Sequence, residues 1–596
     1  KPIQGAVVFL SQNVIEYSSG SGSYFLRGLK KGEYTLRISG LGYKSKVEKI
    51  VLKENIILNF SLEESNIELN EIIVTTDRNE KYLRNTPFSE ILIDKSKIEL
   101  HPGITVSDIL KDEPGVALLR DGAWGTEISI RGMNRENLVT LIDGSRIVTS
   151  TDIAARMSLV NPSDIEKIEV IKGASSSIYG SGATGGIVNI ITRNTGFTES
   201  FSLGGSVSAG YGSVNGLKSF SGSLLAGNPF IATRISGSYR KAGNTKTPSG
   251  ILNNSMFEDY GFSGNLNILP FENHQIKLNY QLFKAEDVGI PGASVFPDKA
   301  KVRYPFERRE MISAGYEIKN LTDYLYKLSL NYSNQFIQRD VENIPNQVQM
   351  IPASGSTPAR RVSVLKITPG ADHKNNNLQL RANFSPGYNN FLVTGIDYWD
   401  RVYNGGRNKY QKIETLNTQG DVISTTNKVI FEKPLPDSKY KSIGFFAQND
   451  AGLIPEKLVL VTGMRIDKIF IEGSETLNPV YEIVNGTVNQ KPVGQKIIWK
   501  SSESENTSFS ANAGLKLSAD ENTDLTLSLG YSFRSPSLEE RFQYIDQGSE
   551  IRIGNPDLKP EKGLSADLGL RYYSSSFKQI TLVFFSSYTD LVSEIP

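Results

Sequence analysis

The strongest constraint on this chain is a two-residue alternation that recurs through its C-terminal two-thirds. Leu525, Leu527, Leu529, Tyr531 and Phe533 alternate with Asp524, Thr526, Ser528, Gly530 and Ser532. Leu378, Leu380, Ala382 and Phe384 alternate with Gln379, Arg381 and Asn383, and Ile276, Leu278 and Tyr280 with Gln275, Lys277 and Asn279. Successive side chains of a strand point to opposite faces, so each segment has one apolar and one polar face. That dyad suits a barrel with lipid outside and water inside. A soluble sandwich alternates too, but its strands usually run only about five or six residues.

The connections separate the two readings. Short ones at 227–229, 269–274, 320–323, 386–390, 454–457 and 519–522 alternate with long ones near 241–258, 284–309, 336–376, 401–441, 471–508 and 535–562. Short turns at one end and long loops at the other are the arrangement of an outer-membrane barrel. About 15 strands fit before residue 590. An odd set does not close a bacterial barrel, so the C-terminal strands are expected to lie outside this sequence.

Composition narrows the function classes. The 65 basic and 64 acidic residues leave a net charge of +1, without the basic excess of a nucleic-acid binder. No Cys occurs, which removes disulfides, thiolate metal sites and Cys nucleophiles. The three histidines, His101, His274 and His373, are far apart and form no HExxH. No cofactor site, metal site or catalytic constellation is expected, and the chain does not read as an enzyme. No stretch approaches the roughly 18 apolar residues of a spanning helix, which leaves a β-barrel untouched.

Upstream, residues 128–193 pack short apolar strands between Gly-rich turns. Val139 to Ile142 run into Asp143-Gly144, a tight-turn signal; Asp164 is placed to cap the segment before Ile168, Val170 and Ile171. Gly180, Gly182 and Gly185 spell G-x-G-x-x-G. A dinucleotide fingerprint follows a strand and opens a helix; here β-branched IVNIIT follows, so the glycines are expected to permit close turns beside another strand.

The motifs IRG (130–132), LIDGSRI (141–147) and IEKIEVIKGASSSIYGSGATGGIVNIITR (165–193) resemble the plug domain of TonB-dependent outer-membrane receptors. FFAQNDAGLIPEKLVLVTGMRID (445–467), FRSPSLEERF (533–542) and NPDLKPEKG (555–563) extend the likeness into the barrel. Residues 22–46 resemble the carboxypeptidase-regulatory-like module that precedes the plug in receptors of Bacteroidetes type. The resemblance implies a mainly β chain: a transmembrane antiparallel β-barrel of the 22-stranded class, filled by an α+β plug and preceded by a small β-sandwich. The expected domains are the sandwich at 1–66, a linker at 67–80, the plug at 81–198 and the barrel at 199–596.

The linker holds Glu71, Ile72, Ile73, Val74, Thr75 and Thr76, a segment of high β-propensity among charged neighbours. Such a segment adds itself to a partner's open sheet edge. By resemblance it is the TonB box, gripped by the TonB–ExbB–ExbD energy-transducing complex; the alternative is a last strand of the sandwich. The resemblance also places the 120–125 loop at the plug's outer apex. Arg120, Asp121 and an exposed Trp124, with Ser150, Thr151 and Asp152 in a second apical loop, are candidate ligand contacts. Arg131 resembles the plug arginine that pairs with wall carboxylates, a gating role. In the long loops, Tyr304, Arg308, Arg309, Tyr403, Arg407, Arg541 and Tyr544, with Arg303, Arg360 and Arg361, offer the cations and aromatics that suit an anionic chelate. Each has ordinary loop chemistry as its alternative. Haem receptors of the family carry a His between the last two boxes; residues 537–554 have none, leaving Tyr544 or His373.

The expected activity is import of a scarce nutrient across the bacterial outer membrane. A ferric siderophore leads because such ligands are frequent in the family. The alternatives are haem, cobalamin, an oligosaccharide or a peptide, or a surface receptor or adhesin that does not transport. Outer-membrane lipid, the external ligand and a possible surface lipoprotein are the expected partners, with no nucleic acid.

Overall fold

The computed structural model describes residues 2–593 except 4–5, 11–13, 20, 27–28, 30, 40–45, 63–72, 75–80, 83, 85, 101–102, 150–154, 175–178, 292–299, 388–389, 455–456, 521, 547–550 and 575–576. Glu71, Ile72, Thr75, Thr76, Ser150, Thr151 and Asp152 lie outside the described residues.

The N-terminal module is built on one antiparallel sheet, order β2-β1-β3-β4, from β1 (Val7–Leu10), β2 (Val14–Tyr17), β3 (Gly32–Ser39) and β4 (Lys46–Leu52). Val8, Leu10, Leu36 and Ile38 form its core. The second layer of the expected sandwich is not strands among the described residues. Irregular chain bearing Tyr24, Leu58, Phe60 and Leu62 covers the sheet, tied by Tyr24 Oη donating to Leu58 O at 2.9 Å. In the linker, β5 (Ile73–Val74) pairs antiparallel with β6 (Lys81–Tyr82).

The plug centres on β7 (Glu90–Asp94), β10 (Leu138–Ile142), β11 (Ser145–Arg146), β12 (Ile165–Lys172) and β13 (Gly186–Thr192), with α1 (Lys95–Leu100), α2 (Val106–Leu110) and the pair β8 (Val116–Arg120) and β9 (Thr126–Ile130) around them. The sheet order is β11-β10-β13-β12-β7. Among the described residues only β10 and β13 run parallel; their near-continuous apolar runs are buried on both faces. A capping box starts α2: Thr105 accepts from the Asp108 N–H, and Asp108 accepts from the Thr105 N–H at 3.0 Å. Asp143 (φ 50°) and Gly144 (φ 76°) make the tight turn between β10 and β11. Asn161, not Asp164, caps the one-turn helix that leads into β12.

Fifteen long strands form the wall: Ser202–Gly212, Leu217–Gly227, Ile231–Ala242, Phe257–Phe271, His274–Ile290, Lys301–Lys319, Leu325–Ile344, Arg360–Gly387, Asn390–Leu416, Ser438–Ile454, Leu458–Gly473, Ser502–Ser518, Thr523–Arg534, Glu561–Tyr573 and Lys578–Thr589. All neighbours are antiparallel, and among the described residues the first and last strands pair on one side only. The alternation is realised in space. Asp524, Thr526, Ser528 and Ser532 face the lumen and are buried, while Leu525, Leu527 and Leu529 on the same strand are 41–49 % exposed on the outside. The exterior carries a band of Ile235, Leu278, Ile312, Leu330, Ile396 and Ile466, with Tyr239, Tyr260, Tyr280, Tyr332 and Tyr398 toward the long-loop end and Phe230, Phe271 and Tyr324 near the short turns. An apolar band between aromatic girdles suits the hydrocarbon of a bilayer. No helix among the described residues is long and apolar enough to cross a membrane.

The strands run farther outward than the loop boundaries read from sequence. Tyr304, Arg308, Arg309, Tyr403 and Arg407 all lie on wall strands. Three hairpin pieces, Gln347–Ile351, Val422–Glu432 and Tyr481–Asn489, extend the sheet above the loop end. Polar residues in a long strand mimic a loop in one dimension, because a strand clear of the lipid no longer needs an apolar face.

Candidate functional site at the outer face of the plug

The plug is bolted to the wall by charges taken out of water. Arg131 Nη1 and Nη2 donate to Asp567 Oδ1 (2.9 Å) and Oδ2 (3.1 Å). Both side chains are under a tenth exposed, and the guanidinium lies 4.2 Å from the Phe584 ring centroid. Arg131 adopts φ 51° and Gly132 φ 85°, so the backbone is bent to aim this side chain at the wall. Arg234 of the wall donates to Asp164 at 2.6 Å, Arg84 to Asp524 at 2.8 Å, and Arg571 to Thr86 O and Phe88 O at 2.9 Å each. Asp143 accepts from the Thr192 N–H and hydroxyl at 2.8 Å each and from Gln281 at 2.6 Å. Burial pushes its carboxyl up from the ordinary range.

The Gly-rich turn has the tight-packing role expected of it. A Cβ on Gly185 would lie 2.5 Å from Met133 Cβ, and one on Gly186 (φ 144°) 2.4 Å from Ile171 O. The turn also meets the wall: the Gly182 N–H donates to Phe533 O (3.3 Å), and the Ser535 N–H to Ser181 Oγ (2.9 Å). Gly186→Ala is expected to destabilise the plug by at least about 2–3 kcal/mol, since left-handed strain and a backbone clash coincide. Limited proteolysis should then cut the plug while the wall stays protected.

The structure puts the candidate contacts in unlike places. Trp124 is 1 % exposed; it is not displayed at an open apex. Its Nε1 donates to Asp259 Oδ2 (3.3 Å), and its ring stacks on Phe283 and meets Tyr304 edge-on. An indole on a small turn gains most by entering the wall's aromatic cluster. Asp259 is held in turn by Arg240 (2.9 and 2.7 Å). Arg120 is half-exposed and paired with Asp108; Asp121 donates its N–H to Gly125 O. Tyr304 is fully buried under Arg339. Arg309 is buried and holds the plug through Leu159 O (3.0 Å) and Gln281 (2.6 Å). Arg308, its strand neighbour, points to the exterior beside Glu310, so it does not reach a ligand in the lumen. Arg407 pairs with Glu432, and Arg541 donates to Pro556 O and Leu558 O, closing the loop between the two boxes. The N–H of Tyr544 donates to Pro434 O (2.6 Å).

Tyr403 does converge with others. Its ring lies 5.4 Å from that of His373, and Arg401 Nε donates to His373 Nδ1 at 3.4 Å. Arg401 also pairs with Glu539 on α3 (Leu538–Phe542). Arg534 donates to Glu540 at 2.7 and 2.9 Å and to Glu561 at 2.6 and 2.5 Å. On the plug, Arg156 pairs with Glu136. Burial favours neutral Glu136, but Arg156, then Arg401 and Arg534, outweigh it and hold the carboxyl below its ordinary range. Sequence reasoning missed Arg156, Glu136, Arg401 and Glu539. Arg534 stands at the outer end of an alternating strand, a weak signal, and Arg401 lies within one; nothing in one dimension joins them to Glu136. Beside them a cleft of ≈ 410 Å³ opens at the rim, lined among others by Tyr403, Asp437, Lys439, Glu472, Gly473 and Glu503, within the usual ligand-cleft range of about 300–1,000 Å³; Asp437 pairs with Lys433, and Glu472 with Lys439 and Lys441. Deeper, a space of ≈ 30 Å³ between Arg146, Ser181, Trp399, Tyr440 and Arg465 has room for about one water.

The family described as TonB dependent receptor-like, beta-barrel matches residues 238–594, more than half of the chain. The chain belongs to the TonB-dependent receptors. The TonB-dependent Receptor Plug Domain matches residues 82–187, and the CarboxypepD_reg-like domain residues 1–74. Members of this receptor family are outer-membrane transporters rather than enzymes. The chain is 31 % identical over 166 residues to the vitamin B12 transporter BtuB of Photobacterium profundum; the match spans 26 % of this chain and only 27 % of that protein. In three dimensions it is similar to the copper transporter OprC (TM-score 0.63, 19 % identity, covering 81 % of this chain and 70 % of that one). It is also similar to the siderophore receptor PiuA of Acinetobacter baumannii (TM-score 0.58, 18 % identity, 84 % and 72 %). At these identities the likeness concerns the fold of the receptor.

Proposed function

We propose that this receptor imports an anionic iron chelate, a ferric siderophore, across the bacterial outer membrane, with the TonB–ExbB–ExbD complex pulling on residues 71–76. The observation that carries the ligand class is charge. The six long stretches of the outer end together hold 28 Lys and Arg against 23 Asp and Glu, with the excess concentrated in 336–376 and 401–441, thirteen against seven, although the whole chain is balanced. A cationic mouth concentrates and orients an anion before it docks. Among the described residues the space at the level of Trp399 and Tyr440 holds only about 30 Å³, so passage there requires the plug to rearrange. A second reading, cobalamin, is favoured by the identity to vitamin B12 transporters.

The test compares binding in the cold with accumulation in warm, energised cells expressing the full-length gene, using radiolabelled ferric citrate, a ferric catecholate and cyanocobalamin. Saturable binding and protonophore-sensitive accumulation of a ferric chelate are expected. Accumulation of cyanocobalamin alone would replace iron with cobalamin; binding with no accumulation of any probe would make this a receptor without transport.

A further inference from the structure

Glu539 and Arg401 meet where three parts of the receptor touch. Arg401 rises from the wall, Glu539 hangs from α3 in the loop between the two C-terminal boxes, and the plug's Arg156–Glu136 pair lies beneath. The exposures are asymmetric. The Arg401 side chain is 3 % exposed and the Glu539 side chain 20 %; the carboxylate sits on the outer, wetter side and covers the guanidinium. α3 has a separate anchor. Glu540 caps its own helix through Ser537 and is gripped by Arg534, which Glu561 holds from the other side. Among the described residues the Glu539 side chain hydrogen-bonds to Arg401 alone, with the plug's Arg156 as a second nearby cation. The ligand-sized cleft adjoins this point, since Tyr403 lines it with its ring tilted against that of His373, and Gly473 lines it against the Phe542 ring of α3.

Resting on the anionic-ligand reading above, we propose that Glu539 is a tethered competitor for Arg401. A carboxylate or other bidentate oxyanion of the cargo, entering from the cleft, takes the Arg401 guanidinium. Glu539 then withdraws to solvent, and α3 pivots on the Arg534–Glu540 anchor. The consequence reaches the plug, because the strand end that leads into α3 carries the bonds from Phe533 and Ser535 to the Gly-rich turn, which runs straight into β13. Cargo recognition outside is thereby coupled to the central strand of the plug sheet. A carboxylate already at Arg401 also sets a threshold: an uncharged solute of similar shape gains nothing from displacing it.

The test uses the full chain in nanodiscs. Because the sequence lacks cysteine, Gln543→Cys and Lys439→Cys place spin labels on the end of α3 and on the rim. Without any ligand, Glu539→Gln is expected to broaden and lengthen the α3–rim distance distribution. The same variant without labels should bind ferric citrate or a ferric catecholate about tenfold more tightly, because a competing state is removed; cyanocobalamin affinity should not change. Arg401→Gln should lengthen the distance as well but weaken chelate binding at least about tenfold. An unchanged distance and unchanged or weaker chelate binding in Glu539→Gln overturns the proposal. A lengthened distance with no chelate bound by either protein also overturns it, and places the fault in the anionic-ligand reading, which cyanocobalamin binding to both would then replace.

Discussion

Replacing Ile73 with proline is expected to abolish accumulation of the ligand while leaving its binding at the cell surface intact. Ile73 and Val74 already form a strand, paired on one side with Tyr82 and Lys81. Addition of a partner strand on the other side needs the backbone N–H groups of this segment. Proline removes one of them and fixes φ. The segment is also well placed to transmit a pull. Seventeen residues after Ile73 the chain enters β7, an edge strand of the plug sheet whose one strand partner among the described residues is β12. Tension applied at 73–74 therefore reaches this edge strand through the wall contacts of Arg84, Thr86 and Phe88. The measurement is paired binding and energised uptake in cells expressing equal amounts of wild-type and Ile73→Pro receptor. Uptake at the wild-type rate would show that the coupling strand is elsewhere.

The second large effect concerns the bolt between plug and wall. Asp567→Ala leaves the Arg131 guanidinium under a tenth exposed and without its bidentate partner. Removing one member of a buried pair costs about 3–5 kcal/mol, because the surviving charge stays desolvated. The loss should fall on the plug, since Arg131 is held there in left-handed backbone while Asp567 belongs to a wall strand hydrogen-bonded on both sides. Faster hydrogen exchange in β8, β9 and β13, with unchanged exchange in the wall, is the expected signature, and cells should become more sensitive to large antibiotics that the plug normally excludes. Asp567→Leu combined with Arg131→Met should recover much of the lost protection, because the cost lies in an unpaired charge rather than in missing volume. Equal exchange in wild type and Asp567→Ala would mean that this pair carries no part of the plug's hold.

Much of this architecture was legible in one dimension because it rests on periodicity. A strand between lipid and water must alternate, so the sequence of Thr523–Arg534 states which side each residue takes. Turn lengths alternate because one end of the wall must stay short and the other is free to grow. The parallel core strands of the plug appear as unbroken apolar runs for the same reason: both faces are covered. The Gly-rich turn was readable as a close approach, although its partners, Met133, Ile171 O and the end of the strand at Phe533, were not.

The site was decided by tertiary structure. Arg308 and Arg309 are neighbours in sequence, yet the pleat sends one to the exterior and the other through the lumen to the plug. Trp124 looked like an apical contact because it follows a polar turn, but the wall's Phe283 and Tyr304 offered it burial. Glu136, Arg156, Arg401, Arg534 and Glu539 come from a plug turn, a second plug turn, two wall strands and a loop helix. Charge pairing across such distances along the chain depends on which strand faces which loop, and that is fixed only when the wall curves around the plug. The chain by itself thus determined a plugged, lipid-facing wall with a short strand before it, because those features follow from local pattern. Which charges meet at its outer mouth depended on the closure of long-range contacts.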